Sequence, residues 1–228
     1  MRKPLVYLLI ALLLLAGCST TSNSKKEITL EDVNAFLNES AGLGDGSAAN
    51  AVAVIPIKHI DGPRTETDYY AFITYIYKSR DYIKYQVSYV SCTCRPPANN
   101  YWQTAFIELT LPESKDINDV EIKTLSYDND AEGHYLGGFW GDSNPIPSGQ
   151  TYEMIKEQYI SYFTDKDFEY VKSLSVIDDI KQSDYKADEG RSGYEIDTLS
   201  GASVSANNII RVLNAVMEYH SQGEYFAK

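Results

Sequence analysis

Five short apolar segments between residues 51 and 127 constrain the fold of this chain more than any other feature. They are rich in β-branched and aromatic residues, several alternate apolar with polar positions, and turn-forming residues separate them. A two-residue period places the apolar side chains on one face of a strand, so the pattern predicts an antiparallel sheet with one face covered. The predicted strands are Ala51–Ile57, Tyr69–Tyr77, Tyr82–Val90, Thr104–Leu111 and Val120–Tyr127.

Helical spacing replaces this alternation in the second half of the chain. Thr151–Phe163 places Ile155, Tyr159 and Tyr162 on one stripe and is predicted to be a helix, and Ala206–His220 is helix-like as well. Phe168–Ile180 fits either a helix or a strand. We also expect the second and third strands to form a hairpin around Lys78–Asp81. Strands followed by segregated helices indicate an α+β fold, in which an antiparallel sheet packs against helices.

The N-terminus resembles a bacterial lipoprotein signal. Arg2 and Lys3 precede Leu5–Leu15, an apolar run too short to span a bilayer, and Leu-Ala-Gly-Cys follows, ending at Cys18. The resemblance implies that residues 1–17 are a signal peptide and that Cys18 carries two acyl chains, which anchor a protein stably. We therefore expect an extracytoplasmic protein, lipid-anchored at a cell membrane or cell surface. A plain secretory signal or a buried strand is the alternative.

The segment after the signal changes from polar to helix-forming. Residues 18–26 contain mostly Ser, Thr, Asn and Lys, a composition typical of a flexible tether. Thr29 and Asp32 have the spacing of a capping box, which predicts a short helix to about Glu39. Residues 27–228 are expected to form a single domain with an N-terminal extension.

Charge narrows the range of partners. The chain has 32 acidic and 20 basic residues and a formal net charge of −12. Such acidity argues against binding to nucleic acid or to anionic lipid, so membrane contact is expected through the Cys18 anchor alone. Solubility is the simpler reason for the acidity.

Two cysteines remain if Cys18 is acylated. Cys92 and Cys94 form an isolated pair that, outside the cytoplasm, is expected to end as a disulfide, although this spacing is near the limit for an unstrained bridge. An inert bridge, a redox-active dithiol relay assisted by Arg95, and an unmade bridge remain open. The cysteines and histidines show no spacing typical of a metal site.

The stretch Asp197-Thr198-Leu199-Ser200-Gly201-Ala202-Ser203-Val204-Ser205 leads directly into the last predicted helix. A helix begins with four backbone N–H groups that lack intrahelical partners, and these favour an anion such as phosphate. Glycine allows the backbone to approach a ligand closely. An ordinary helix capped by Ser203 or Ser205 is the alternative.

This stretch resembles the flavinylation motif of the FMN-binding domain family, Asp-x-x-(Ser/Thr)-Gly-Ala-(Thr/Ser). The family includes flavin subunits of sodium-pumping NADH:quinone reductases, of related ferredoxin-linked respiratory complexes, and surface electron-transfer lipoproteins. In its members an FAD-dependent FMN transferase esterifies the FMN phosphate to the last hydroxyl residue of the motif. The resemblance implies attachment at Ser203, with Asp197, Ser200, Gly201 and Ala202 as the recognition frame. The commoner acceptor is threonine, so serine is a departure from the family pattern.

Three further residues are candidates for cofactor contact. Ser205 is the additional hydroxyl residue that usually follows the motif. Trp102 and Trp140 fall in segments predicted to be loops, where a large aromatic side chain can stack on an isoalloxazine ring. Anchoring of each loop to the core by its tryptophan is the alternative.

The resemblance implies an electron carrier more than a substrate-converting enzyme. FMN supplies one- and two-electron transfer, and an ester link retains it outside the cell. The sequence shows no substrate-activating base, dinucleotide-binding fingerprint or nucleophile dyad, so we expect no catalytic residues. The expected partners are the FAD-dependent FMN transferase and a membrane electron donor. Two alternatives are a subunit of a larger oxidoreductase complex and a cofactor-free surface lipoprotein that acts as a binding or scaffold module.

Overall fold

The fold is a five-stranded antiparallel sheet packed against helices. A computed structural model describes residue 29 and residues 31–32, 51–59, 67–90, 102–128, 155–176, 179–180 and 203–227. Each strand pairs with its neighbour in the chain, in the order β1-β2-β3-β4-β5, so the predicted α+β class is confirmed. The strands are β1 (Ala53–His59), β2 (Thr67–Lys78), β3 (Tyr82–Val90), β4 (Trp102–Thr110) and β5 (Ile122–Tyr127).

The strand predictions agree with the structure to within about two residues at each end. β3 has the predicted bounds, and the hairpin is confirmed because β2 ends at Lys78 and the Ser79 N–H donates to the Tyr82 carbonyl at 2.8 Å. β4 begins two residues earlier than predicted. Its extension arises because Trp102 lies opposite Val90 and so prolongs the pairing with β3.

The two faces of the sheet differ in burial. Along β4, Gln103, Ala105, Ile107 and Leu109 are buried, and the residues between them are only partly buried. We call the face with these four residues the covered face. The other face carries polar pairs such as Lys84 and Glu108, whose side chains approach to 3.2 Å. Along β4 the predicted alternation therefore holds. Toward the end of the sheet remote from the hairpin turn, the other face is buried as well, at Tyr70, Phe72, Ser88 and Val90.

Short helical turns follow β5 in the chain. The predicted helix Thr151–Phe163 is described from Ile155, where a π-helical turn (Ile155–Ile160) continues into a 3-10 turn (Ser161–Phe163). The ambiguous segment is resolved as α1 (Phe168–Ser173), because the Asp167 side chain caps its start by accepting from the Tyr170 N–H at 2.7 Å. The chain is extended again at Leu174.

The long C-terminal helix α2 (Ser203–Ser221) begins three residues before the predicted segment and ends one residue after it. Its apolar stripe is buried at the three- and four-residue spacing of a packed helix. The stripe consists of Ala206, Ile209, Ile210, Leu213, Val216 and Met217. Asn208, Arg211 and Val212 are buried as well, so the N-terminal half of α2 is enclosed on most of its circumference.

Polar contacts fix α2 at three points along its length. The Tyr159 hydroxyl donates to the Ala206 carbonyl at 2.7 Å, and the Asn214 amide donates to the Leu174 carbonyl at 2.8 Å. Near the C-terminal end, the Tyr85 hydroxyl and His220 Nδ1 lie 2.8 Å apart. These contacts tie the helix to the π-helical turn, to the segment after α1 and to β3.

α2 packs against the covered face of the sheet. Its C-terminal end lies over Tyr85, close to the β2–β3 hairpin turn, and it packs against β1 more than against any other strand. β1 pairs only with the part of β2 that precedes the bulge, through Thr67–Ile73. β1 therefore lies beside the half of β2 that is remote from the hairpin turn.

The predicted capping box near the start of the chain is confirmed. The Thr29 N–H donates to Asp32 Oδ2 at 2.9 Å, and the Asp32 N–H donates to Thr29 Oγ1 at 3.1 Å. The rest of the helix predicted to reach Glu39 lies outside the described residues.

Tyr85 and His220 form a buried pair of neutral groups. Burial lowers the pKa of His220 to about 4, an effect that the Thr110 carbonyl partly offsets. Among the described residues, Nε2 has no hydrogen-bond partner of normal geometry, so the Thr110 carbonyl acts at longer range. Burial also raises the pKa of Tyr85, and Tyr219 adds to the shift. At neutral pH the contact therefore joins an uncharged imidazole to an uncharged phenol.

This pair makes stability depend on pH. Because the folded pKa of His220 lies below the unfolded value of 6.5, the unfolded state binds more protons between the two values. The stabilisation from keeping the imidazole neutral is present above pH 6.5 and is lost as the pH falls toward 4. The quantity to follow is the difference between the free energies of unfolding of wild type and of His220→Gln. As the pH falls from 6.5 toward 4, this difference should decrease by up to about 3 kcal/mol.

The measurement is urea unfolding of both proteins at a series of pH values. Carboxylates titrate alike in the two proteins, so their effect cancels in the difference. Tyr85→Phe is the matched control, because it removes the hydroxyl but leaves the imidazole buried, and it should retain most of the wild-type pH dependence. If the difference in free energy of unfolding between wild type and His220→Gln stayed constant with pH, the lowered pKa of His220 would be contradicted.

Candidate functional site

Ser203, the predicted attachment residue, is the first residue of α2. A serine at this position lies among the unpaired N–H groups and at the positive end of the helix dipole. The first turn contains no acidic residue, and Arg211 is the only charged residue from Ser203 to Met217. Ser205 lies in the same turn. The start of α2 is therefore electrostatically suited to an anion on a chain that is otherwise strongly acidic.

Two polar side chains are buried one to two turns further along α2. Asn208 is fully buried and Arg211 is 6% exposed. Arg211 Nη1 approaches Asn208 Oδ1 at 3.4 Å, so the guanidinium leans toward the N-terminal end of the helix. Transfer of a guanidinium from water to a protein interior is unfavourable unless the charge is compensated. The N-terminal half of α2 thus combines a helix start with a buried positive charge.

Tyr159 positions this half of the helix. The side chain is fully buried, and its hydroxyl donates to the Ala206 carbonyl in the first turns of α2. Phe163 packs against the Tyr159 ring in an edge-to-face arrangement with the centroids 5.3 Å apart. Because the ring is held by packing and the hydroxyl by a hydrogen bond, the start of α2 has a defined position relative to the π-helical turn.

Buried polar groups also occur on the strands at the end of the sheet remote from the hairpin turn. The Tyr89 hydroxyl donates to the Tyr127 hydroxyl at 3.0 Å, and Gln103, directly opposite Tyr89 in the register, is buried as well. All three side chains lie on the covered face. The end of the covered face remote from the hairpin turn therefore contains three buried polar side chains.

Trp102 lies in a strand, so its assignment to a loop was wrong. It pairs with Val90 and its ring meets Phe72 edge to face, with the centroids 5.6 Å apart. By the alternation along β4, Trp102 lies on the face opposite to Gln103, and the sheet separates it from α2. The structure thus does not bring Trp102 and Ser203 together on one face. Contact between Trp102 and a cofactor stays a prediction.

Several predicted residues lie outside the described part of the chain. These are the motif residues Asp197, Ser200, Gly201 and Ala202, the aromatic Trp140, the lipidation residue Cys18, and the pair Cys92 and Cys94. Their predicted roles are unchanged by the structure.

The sequence interpretation missed the buried polar groups of α2. His220 continues the apolar stripe three residues after Met217, so helical spacing could have predicted its burial. Asn208 and Arg211 lie off that stripe. These two side chains are buried because the helix is packed on most sides, and a local sequence pattern does not predict such packing.

Within the described ranges, no group of three or more His, Cys, Asp and Glu side chains is arranged to hold a metal ion. Across the same ranges, none of the helices is long and apolar enough to cross a membrane. The groups at the start of α2 instead fit a phosphate ester: a hydroxyl residue at a helix start, no acid in the first turn, and a buried cation in the same helix.

No family model, curated protein or solved structure matches this chain.

The Tyr159 contact generates a stability prediction. We expect Tyr159→Phe to lower the free energy of unfolding by about 1 kcal/mol, because a buried hydrogen bond is lost while the ring packing is kept. Hydrogen exchange should accelerate more in the N-terminal half of α2 than in its C-terminal half. Urea unfolding and amide exchange followed by mass spectrometry measure the two effects.

Tyr225→Phe serves as the matched control at the other end of the helix. The Tyr225 hydroxyl donates to the Pro112 carbonyl at 2.7 Å just after α2. Its loss should accelerate exchange mainly near the C-terminal end of α2. If both variants changed exchange uniformly along α2, Tyr159 would have no local role at the helix start.

Proposed function

We propose that this chain is an extracytoplasmic, lipid-anchored flavoprotein that relays electrons through FMN bound covalently to Ser203. The observation that carries the proposal is the position of Ser203 as the first residue of a 19-residue helix without an acid in its first turn. Phosphate binds favourably at such a helix start, because unpaired N–H groups and the dipole both favour negative charge. The motif around Ser203 supplies the chemical identity of the ligand.

The attachment reaction balances as a group transfer. The Ser203 hydroxyl oxygen forms a bond to the phosphorus of the FMN half of FAD, the bond to the AMP half breaks, and the hydroxyl proton is released. An FAD-dependent transferase would catalyse the step. Asp197 would help that transferase to recognise the motif, or would bind the metal ion of the transferase. The product is a phosphodiester with one negative charge at the start of α2.

Flavin bound here would supply one- and two-electron transfer. The chain itself contributes a rigid attachment point, because Tyr159 holds the start of α2 and Asn214 holds its middle. A fixed attachment limits the positions that a tethered cofactor can occupy. The lipid anchor at Cys18 would keep this cofactor close to a membrane electron donor. The chain would act as a carrier and would leave substrate chemistry to its partners.

Coexpression with an FAD-dependent FMN transferase tests the proposal. We expect the intact mass of the wild-type chain to increase by one FMN less one water, and the yellow colour to remain with the denatured protein. Ser203→Ala should abolish the added mass, whereas Ser205→Ala should keep it, because Ser203 is the acceptor and Ser205 lies after the motif.

Peptide mapping of the loaded wild type should place the added mass on Ser203. Far-ultraviolet circular dichroism of the unmodified variants controls for folding. A wild-type chain that stays unmodified beside a flavinylated positive control would refute the proposal and favour a cofactor-free scaffold. Full loading of Ser203→Ala would refute the acceptor assignment alone.

A further inference from the structure

Tyr85 and His220 meet inside the core, between β3 and the last turn of α2. The Tyr85 hydroxyl lies 2.8 Å from His220 Nδ1, and the two residues are 3% and 2% exposed. Burial keeps the imidazole neutral at neutral pH, because the pKa of His220 falls to about 4. The hydroxyl then donates to Nδ1, so the single ring proton of the imidazole is on Nε2. The phenol proton is therefore directed at a ring nitrogen that can accept it.

We infer that Tyr85 and His220 form a redox site that reacts with one-electron oxidants, of the class of small oxidising radicals. Tyr85 gives one electron to the oxidant, its O–H bond breaks, and the proton forms a new bond to His220 Nδ1. The products are a neutral tyrosyl radical, an imidazolium and the reduced oxidant. Flavin attachment at Ser203 is not required for this chemistry.

The geometry of the pair supports coupled movement of the electron and the proton. Loss of an electron makes a phenol a much stronger acid, so a base within hydrogen-bond reach makes the oxidation more favourable. His220 Nδ1 lies within the reach that proton transfer needs. The Thr110 carbonyl favours the protonated imidazole, so it stabilises the product of the transfer.

Aromatic rings connect this buried pair with the surface. The Tyr219 ring meets the Tyr85 ring edge to face with the centroids 6.1 Å apart, and Phe226 packs in the same way on His220 at 5.0 Å. Tyr219 is only partly buried. It therefore places an oxidisable ring between partial solvent exposure and Tyr85, so an oxidant does not have to enter the core. Because Tyr85 is buried, its radical is protected from coupling with a radical on another molecule.

Tyr225 provides a comparison within the same C-terminal segment. Its hydroxyl donates to the Pro112 carbonyl at 2.7 Å, and its ring contacts Phe226. A backbone carbonyl accepts a hydrogen bond but is not a base at ordinary pH. The Tyr225 contact thus resembles that of Tyr85 in distance and differs from it in the ability to take up a proton.

The test oxidises the protein, expressed without the FMN transferase, with a substoichiometric amount of azide radical generated by pulse radiolysis. Transient absorption should show a persistent fraction of tyrosyl radical in the wild type. We expect this fraction to be lost in Tyr85→Phe and in His220→Gln, because glutamine accepts a hydrogen bond but is not a base. Tyr225→Phe is the matched control and should retain it.

Pulsed electron paramagnetic resonance of the freeze-quenched wild type identifies the site even if a variant does not fold. The radical should show hyperfine coupling to a hydrogen-bonded proton that exchanges in heavy water. It should also show coupling to a nitrogen that changes when histidine is isotopically labelled. Absence of the histidine coupling, retention of the persistent fraction in Tyr85→Phe, or its equal loss in Tyr225→Phe would refute the redox site.

Failure of this test is separate from failure of the proposed function. The radical is formed in protein that contains no flavin, whereas the proposed function is decided by the mass of protein coexpressed with the transferase. A wild type that forms no Tyr85 radical leaves flavinylation of Ser203 open, and an unmodified Ser203 leaves the redox site at Tyr85 unaffected.

Discussion

The packing of α2 across the covered face of the sheet is the constraint on which the rest of the structure depends. The N-terminal half of this helix is buried on most sides, which is unusual for a helix next to a single sheet layer. It requires neighbours beyond the strands, and Tyr159 from the π-helical turn and Leu174 after α1 supply two of them. Each neighbour adds a hydrogen bond to α2, so the helix that carries Ser203 is fixed in position as well as buried.

Electrostatics divides the core into two parts. Near the hairpin turn, Tyr85 and His220 meet as neutral groups, because burial disfavours the charged form of each. Along the N-terminal half of α2, Arg211 keeps a full charge in a comparable degree of burial. The first arrangement adds stability above the pKa of the imidazole. The second keeps a charged side chain inside the core, in the helix that begins with Ser203.

The sequence predicted the sheet well, and its errors have physical causes. Alternation along β3 and β4 identified the strands, because the period of a strand is a local property. Trp102 was assigned to a loop because polar residues and prolines precede it, but pairing with Val90 and contact with Phe72 place it in β4. The helix Thr151–Phe163 was predicted from its spacing. Its described part is a π-helical turn followed by a 3-10 turn, a difference in local geometry that the spacing of apolar residues does not predict.

By itself, the sequence determined the positions of the five strands, the β2–β3 hairpin and the helix that follows the hydroxyl residue Ser203, because each follows from residue types at local spacings. Only the tertiary structure decided that Asn208 and Arg211 are buried, that His220 is neutral beside Tyr85, and that Trp102 lies across the sheet from α2. Burial and pKa depend on what surrounds a side chain from every direction. That environment is assembled from segments far apart in the chain, which no local pattern encodes.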